Sequence, residues 1–138
     1  MIVVDTNVLS EMMRQSPHAS VKRWMETQVR ASLFTTSICE AEVFYGIAIL
    51  PAGRRRAALH NAAEAIFGEF GGRILPFDSA AARAFADVAA ERRRGGRPIG
   101  ESDGQIAAIA RVHDATVATR DVQDFAACGI QVVSPWAG

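Results

Sequence analysis

The sequence predicts an α/β protein: a three-layer α/β/α arrangement around a mainly parallel five-stranded sheet. Three observations carry this reading. Short apolar runs alternate with longer stretches of helical period, the signature of βα units. Two of those runs, in "IVVDTN" and "TVATRD", end in an acid where helical spacing begins. The length of 138 residues, with 49% apolar and 22% charged side chains, suits a single domain, 1–138, with a proper core.

The elements follow in order. "IVVD" at 2–5 is a buried strand, and Val8, Leu9 and Met12 place a helix at about 7–14. Ser16 and Pro17 separate it from a second helix at 18–29. "LFTT" at 33–36 is the second strand. A helix at 37–50 follows, with Ser37 and Glu40 in capping-box spacing. Pro51 and Gly53 divide that helix from another at 54–70. "RILP" at 73–76 is the third strand, and a helix at 79–94 runs into "GGRP" at 95–98. Ser102 and Gln105 give a second capping box for a helix at 101–113. "TVAT" at 116–119, a short helix at 122–127 and "IQVV" at 130–133 complete the series. In such sheets ligands bind beyond the carboxyl ends of the strands.

Composition narrows the function. No signal peptide is expected, the sequence holds no membrane-length apolar run, and Cys39 and Cys128 form neither a C-x-x-C pair nor a metal-ligand spacing. A cytoplasmic location is expected. The formal net charge is zero, so the molecule as a whole exerts no strong field on nucleic acid. The basic residues are nevertheless arginines, apart from Lys22, and cluster at 54–56 and at Arg92, Arg93, Arg94 and Arg97. Arginine suits bidentate phosphate contact. A solvated helix face is the alternative role for each cluster.

The acids are harder to place. Asp5 and Asp121 end strands. Asp5 could simply cap a helix. Glu42 has Ile38, Tyr45, Gly46 and Ile49 as helical neighbours, so it projects from an apolar stripe beside the space left by Gly46. Asp103 shares its face with Ile106, Ala107 and Ala110, although a first-turn acid also suits the helix dipole. Glu101 points elsewhere by phase and reads as a rim residue, and Asp124 is either a surface acid or part of a site. Carboxylates that converge at low dielectric repel one another, and a hard divalent cation removes the conflict. His18, His60 and His113 show no convergent spacing, which disfavours zinc.

The blocks "VVDTNVLSE", "TTSICEAEVFYGI", "SDGQIAAIA" and "VATRDVQDF" resemble the four signatures of PIN-domain ribonucleases, in particular VapC-type toxins of toxin–antitoxin pairs. "GRILPFD" and "SPWAG" are similar to the FitB-like branch. The resemblance implies strand order 3-2-1-4-5, an acidic pocket for Mg²⁺ or Mn²⁺, and hydrolysis of single-stranded RNA by metal-activated water. It implies Asp5, Glu42, Asp103 and Asp121 as catalytic and metal-binding acids. It also implies Thr6, Asn7 and Thr119 as their supports, Asp124 as an optional further acid, and a homodimer bound by a small VapB-type antitoxin. Arg92, Arg93, Arg94 and Arg97 would hold flanking phosphates. Glu101 departs from the small residues common before the third acid.

Rival readings are distinguishable. A receiver-type signalling domain wants adjacent early acids and a late lysine. A non-catalytic PIN-like interaction module would be expected to lose an acid, and all four are present. A metal-dependent DNA nuclease shares the pocket and differs only in substrate.

Overall fold

A computed structural model describes residues 1–137. Five parallel strands form the sheet: β1 (Ile2–Val4), β2 (Leu33–Thr36), β3 (Ile74–Leu75), β4 (Thr116–Ala118) and β5 (Val132–Val133). Their order is β3-β2-β1-β4-β5, the order implied by the resemblance. Register pairs Val3 with Phe34 on one side and with Val117 on the other. β1 and β4 are buried along nearly their whole length, which explains runs without polar alternation.

Six helices connect the strands: α1 (Thr6–Met12), α2 (Ala19–Thr27), α3 (Ser37–Ala48), α4 (Arg54–Phe70), α5 (Ser79–Arg94) and α6 (Glu101–Val112). The chain moves outward from β1 to β3, then returns across the sheet to β4. Since crossovers between parallel strands are right-handed, α1–α4 and α5–α6 belong to opposite faces. The reversal leaves a crevice between the carboxyl ends of β1 and β4. The core includes Val3, Val4, Val8 and Leu9 from the first unit and Ile106, Ile109 and Val117 from the return, each no more than 1% exposed.

All expected strands and long helices are present: those at 33–36, 54–70 and 79–94 keep their expected bounds, the first helix starts one residue early, and every other end that differs falls one or two residues short. The segment expected as a helix at 122–127 is a 3-10 turn, Val122–Phe125. Two further 3-10 turns, Arg30–Ser32 and Pro135–Ala137, lacked a periodic signal. Both expected capping boxes are corrected. Thr36, one residue earlier than Ser37, caps α3 by accepting the Cys39 N–H at 3.0 Å, which moves Glu40 out of the capping position. The Ser37 hydroxyl instead accepts the Phe77 N–H at 3.3 Å. α6 starts after Gly100 with no side-chain cap, so the Ser102–Gln105 box does not form; Glu101 and Asp103 supply negative charge in its first turn.

Two glycines have positional roles. Gly71 ends α4 at φ +54°, a conformation that side-chain-bearing residues rarely adopt. Gly104 permits close packing of α6: a Cβ there would lie 2.8 Å from Phe85 Cε1 and 3.2 Å from Ile99 Cγ2. No helix among the described residues is long and apolar enough to cross a membrane.

Candidate active site

Asp5 caps a helix and also lines a cleft. It stands where β1 meets α1, and its Oδ1 accepts the Thr6 N–H at 2.8 Å. Its Oδ2 accepts the Thr119 hydroxyl at 2.8 Å. Both bonds favour the carboxylate, but burial opposes it more strongly. The Asp5 pKa is pushed up to about 6, chiefly by burial, with the charges of Asp103 and Glu42 adding to the shift.

Three polar residues tie the acids together. The Thr6 hydroxyl donates to Glu42 Oε1 at 2.8 Å, while its N–H serves Asp5. Asn7 Nδ2 donates to Asp121 Oδ2 at 3.1 Å and to Thr119 Oγ1 at 3.2 Å, and Asn7 Oδ1 accepts the Arg120 N–H. Thr119 Oγ1 also accepts the Asp121 N–H at 3.1 Å. The hydroxyl thus uses its one donor and both acceptor sites within the network.

Asp103 projects from the first turn of α6 and is half-buried. Its pKa is raised by burial, then by the negative charges of Asp124, Glu42 and Asp121; the Arg92 charge works in the other direction. Asp5, Glu42, Asp103 and Asp121 line one open cleft of ≈ 570 Å³. The structure therefore brings together the four acids singled out in the sequence. The stripe carrying Glu42 faces solvent rather than the core: Tyr45 and Ile49 are 67% and 65% exposed. Asp124 is exposed and outside the cleft lining, and acts on Asp103 through its charge. Glu101 is exposed and also outside the lining.

The arginine cluster divides. Arg92 is buried, contrary to its expected place on a phosphate-binding rim. Its guanidinium is occupied by the carbonyls of Arg97, Asp124 and Ala126 at 2.7, 2.8 and 3.0 Å. It fastens the end of α5 to the Val122–Phe125 turn. Arg93, Arg94 and Arg97 are exposed, but none lines the cleft.

Several lining residues escaped the sequence reading: Glu11, Arg14, Arg120 and Trp136. Glu11 is four residues after Asn7, and that spacing put it on the same helical face. It is buried, accepts the His18 N–H at 3.0 Å and pairs with Arg14 at 3.4 Å. Arg120 directly precedes Asp121, an adjacency that could have flagged it. Trp136 lies in "SPWAG", quoted above for its resemblance, but nothing in that stretch pointed to the cleft.

Cys39 was also missed as a neighbour of the site. Its Sγ lies 4.0 Å from Asp5 Oδ1, and the potential ligand atoms of Asp5, Cys39 and Glu42 lie within 4.8 Å of one another. Burial, aided by the Asp5 charge, pushes the thiol up to about 11. At neutral pH it stays protonated, leaving carboxylate oxygens as the available donors. That donor set fits a hard divalent cation.

Comparison with known proteins bears on the family and the fold. The PIN domain family profile matches residues 2–129. The chain is 42% identical over 137 residues to a VapC ribonuclease of Sinorhizobium fredii, covering 99% of this chain and 98% of the relative. It is 39% identical to Toxin FitB of Neisseria gonorrhoeae, covering 99% of each. The crystal structure of FitAcB from Neisseria gonorrhoeae superposes with a TM-score of 0.92, at 39% identity and 99% coverage of both chains.

Proposed function

The chain belongs to the PIN domain family, and from that premise we propose that it is the toxin of a toxin–antitoxin pair, a cytoplasmic endoribonuclease that hydrolyses single-stranded RNA with Mg²⁺ or Mn²⁺. The observation that carries the reading is the convergence of Asp5, Glu42, Asp103 and Asp121 on one cleft at the β1–β4 reversal. The relatives named a VapC ribonuclease and Toxin FitB favour RNA and the toxin role.

Asp5 and Asp103 would be the principal metal ligands, with Glu42 and Asp121 completing the acidic wall directly or through water. A divalent cation bound there makes water a usable nucleophile and stabilises charge on the phosphoryl oxygens. The protein's own part is orientation. Thr6 holds Asp5 and Glu42, while Asn7 and Thr119 hold Asp121 and Asp5. These bonds fix the acids before any ligand arrives, so little ordering remains to be done on binding. The acidic wall repels phosphate until a cation neutralises it.

A small antitoxin and a second copy of the chain are the proposed protein partners. Tyr45, on the helix that carries Glu42, and Ile49, at its C-cap, give an exposed apolar strip suited to a partner that also masks the cleft. An arginine from such a partner would pair with the carboxylates and exclude the cation.

The test is cleavage of single-stranded RNA by the purified chain. Activity should vanish in chelator, return with Mg²⁺ or Mn²⁺, and yield 5′-phosphate and 3′-hydroxyl ends. Ends carrying 2′,3′-cyclic phosphate, formed equally well in chelator, would sink the proposal.

A further inference from the structure

We infer that Arg120 and Trp136 form a stacking platform for an unpaired nucleobase of the RNA, beside the acidic cleft. The inference rests on the ribonuclease reading and adds a binding element to that site. Both residues line the cleft with Asp5, Asp103 and Asp121. The Arg120 guanidinium carbon lies 5.3 Å from the centre of the Trp136 ring. They come from distant parts of the chain: Arg120 from the carboxyl end of β4, Trp136 from the turn Pro135–Ala137.

Three features separate this pair from an ordinary surface contact. Arg120 is exposed and makes no ion pair among the described residues, although five acids line the same cleft. Arg14, the other lining arginine, is already paired with Glu11. The Arg120 backbone is pinned, its N–H donating to Asn7 Oδ1 at 3.1 Å, so the platform is held in register with the acids. Trp136 is half-buried, with its turn packed against α2, which leaves a fixed rather than a mobile ring at the cleft wall.

The chemistry suits a single strand. The acidic wall repels phosphates, so attraction must come from elsewhere. Stacking on an indole or a guanidinium plane does not depend on the charge of the wall and tolerates any base. A base inside a duplex has both faces covered and cannot use it. The platform therefore selects unpaired nucleotides next to the bond being cut.

The experiment uses a Trp24→Phe chain, in which Trp136 is the sole indole, and Ca²⁺ in place of Mg²⁺ to slow cleavage. A short oligouridylate should quench Trp136 emission saturably. An abasic oligoribonucleotide of equal length should leave emission unchanged and bind about tenfold more weakly or worse. In a parallel test, fluorescence anisotropy on the otherwise native chain should show Arg120→Ala losing more affinity for oligouridylate than for the abasic strand. Equal quenching by both strands, or equal loss of both affinities, would overturn the platform and reduce Arg120 to a phosphate contact. Those outcomes leave the ribonuclease reading standing if the native chain cleaves RNA in Mg²⁺. Absence of that cleavage defeats the reading and the platform together.

Discussion

The Thr119 hydroxyl donates to Asp5 Oδ2 at 2.8 Å, joining the carboxyl ends of β1 and β4 across 114 positions of sequence. The same oxygen accepts from Asn7 and from the backbone of Asp121. Thr119→Val keeps the shape and removes all three bonds. The variant should lose about 1–3 kcal/mol of stability by urea denaturation. Calorimetric titration should show weaker Mg²⁺ binding, because Asp5 loses a bond that favours its charged form.

Asp5→Asn separates the cap from the site. Asparagine caps a helix as well as aspartate does through its amide oxygen; its amide nitrogen then faces a Thr119 hydroxyl whose two acceptor sites are already filled, so that one bond is lost. Without metal, the variant should melt higher than the native protein at neutral pH, because a buried charge in an acidic cluster is gone. The native protein should gain about 1–3 kcal/mol from Mg²⁺ at roughly 10 to 100 times its Kd. The variant should lose most of that gain, along with cleavage. Melting curves with and without Mg²⁺ settle the matter, and an unchanged Mg²⁺ response would return Asp5 to capping alone.

The raised pKa of Asp5 predicts a pH dependence with a definite sign. Its folded value, about 6, lies above the ordinary aspartate value of 3.8, so between these pH values the folded state holds more protons than the unfolded one. This contribution is greatest at pH 4 and below, and is lost as pH rises through about 6. Metal-free native protein should therefore lose stability over that window relative to Asp5→Asn. Mg²⁺ affinity should move the other way, rising with pH as the proton leaves. Parallel urea titrations from pH 4 to 7 would reveal the first trend, and calorimetry the second.

Arg92→Gln should be costly where Arg93→Gln and Arg94→Gln are not. The buried guanidinium satisfies three carbonyls; its loss leaves those of Arg97 and Asp124 without a donor and that of Ala126 with only the Cys128 thiol. We expect a loss of at least about 2 kcal/mol, against changes within about 0.5 kcal/mol for the two exposed neighbours. Equal effects at all three positions, measured by chemical denaturation, would contradict this division.

The same arginines show where sequence reasoning stops. "RRRGGR" is a run of like residues, and nothing in its composition says that Arg92 turns inward while Arg93 and Arg94 stay in solvent. Helical phase could have suggested it, since Arg92 lies four residues after the fully buried Val88. The strands and long helices were legible because their periodicity reflects which face is buried. The four acids were legible because each breaks an apolar pattern or ends a buried strand. Arg120 and Trp136 were not, because the wall they share exists only after β4 and the final turn come together. The capping boxes failed for a local reason: Thr36 and Gly100 compete for positions that spacing alone assigned to later residues.

Gly104→Ala tests how tightly α6 sets the site. The added methyl would meet Phe85 and Ile99, so the first turn of α6 must move or the aromatic ring must yield. Overpacking of this kind costs about 1–3 kcal/mol. Because Asp103 is the adjacent residue, Mg²⁺ affinity should fall as well. Stability lost with metal affinity intact would mean that Phe85 gives way and α6 stays in place.

The strand order has a consequence for the timing of synthesis. Asp5 is made 114 residues before its partner hydroxyl at Thr119, and Asp121 follows Thr119. β1 lies between β2 and β4, so one of its flanks remains open until residues 116–118 pair with it. A growing chain that has not reached this point has no complete cleft, however well its earlier elements fold. The order of assembly thus withholds the cleft until β4 and the residues just after it have been made.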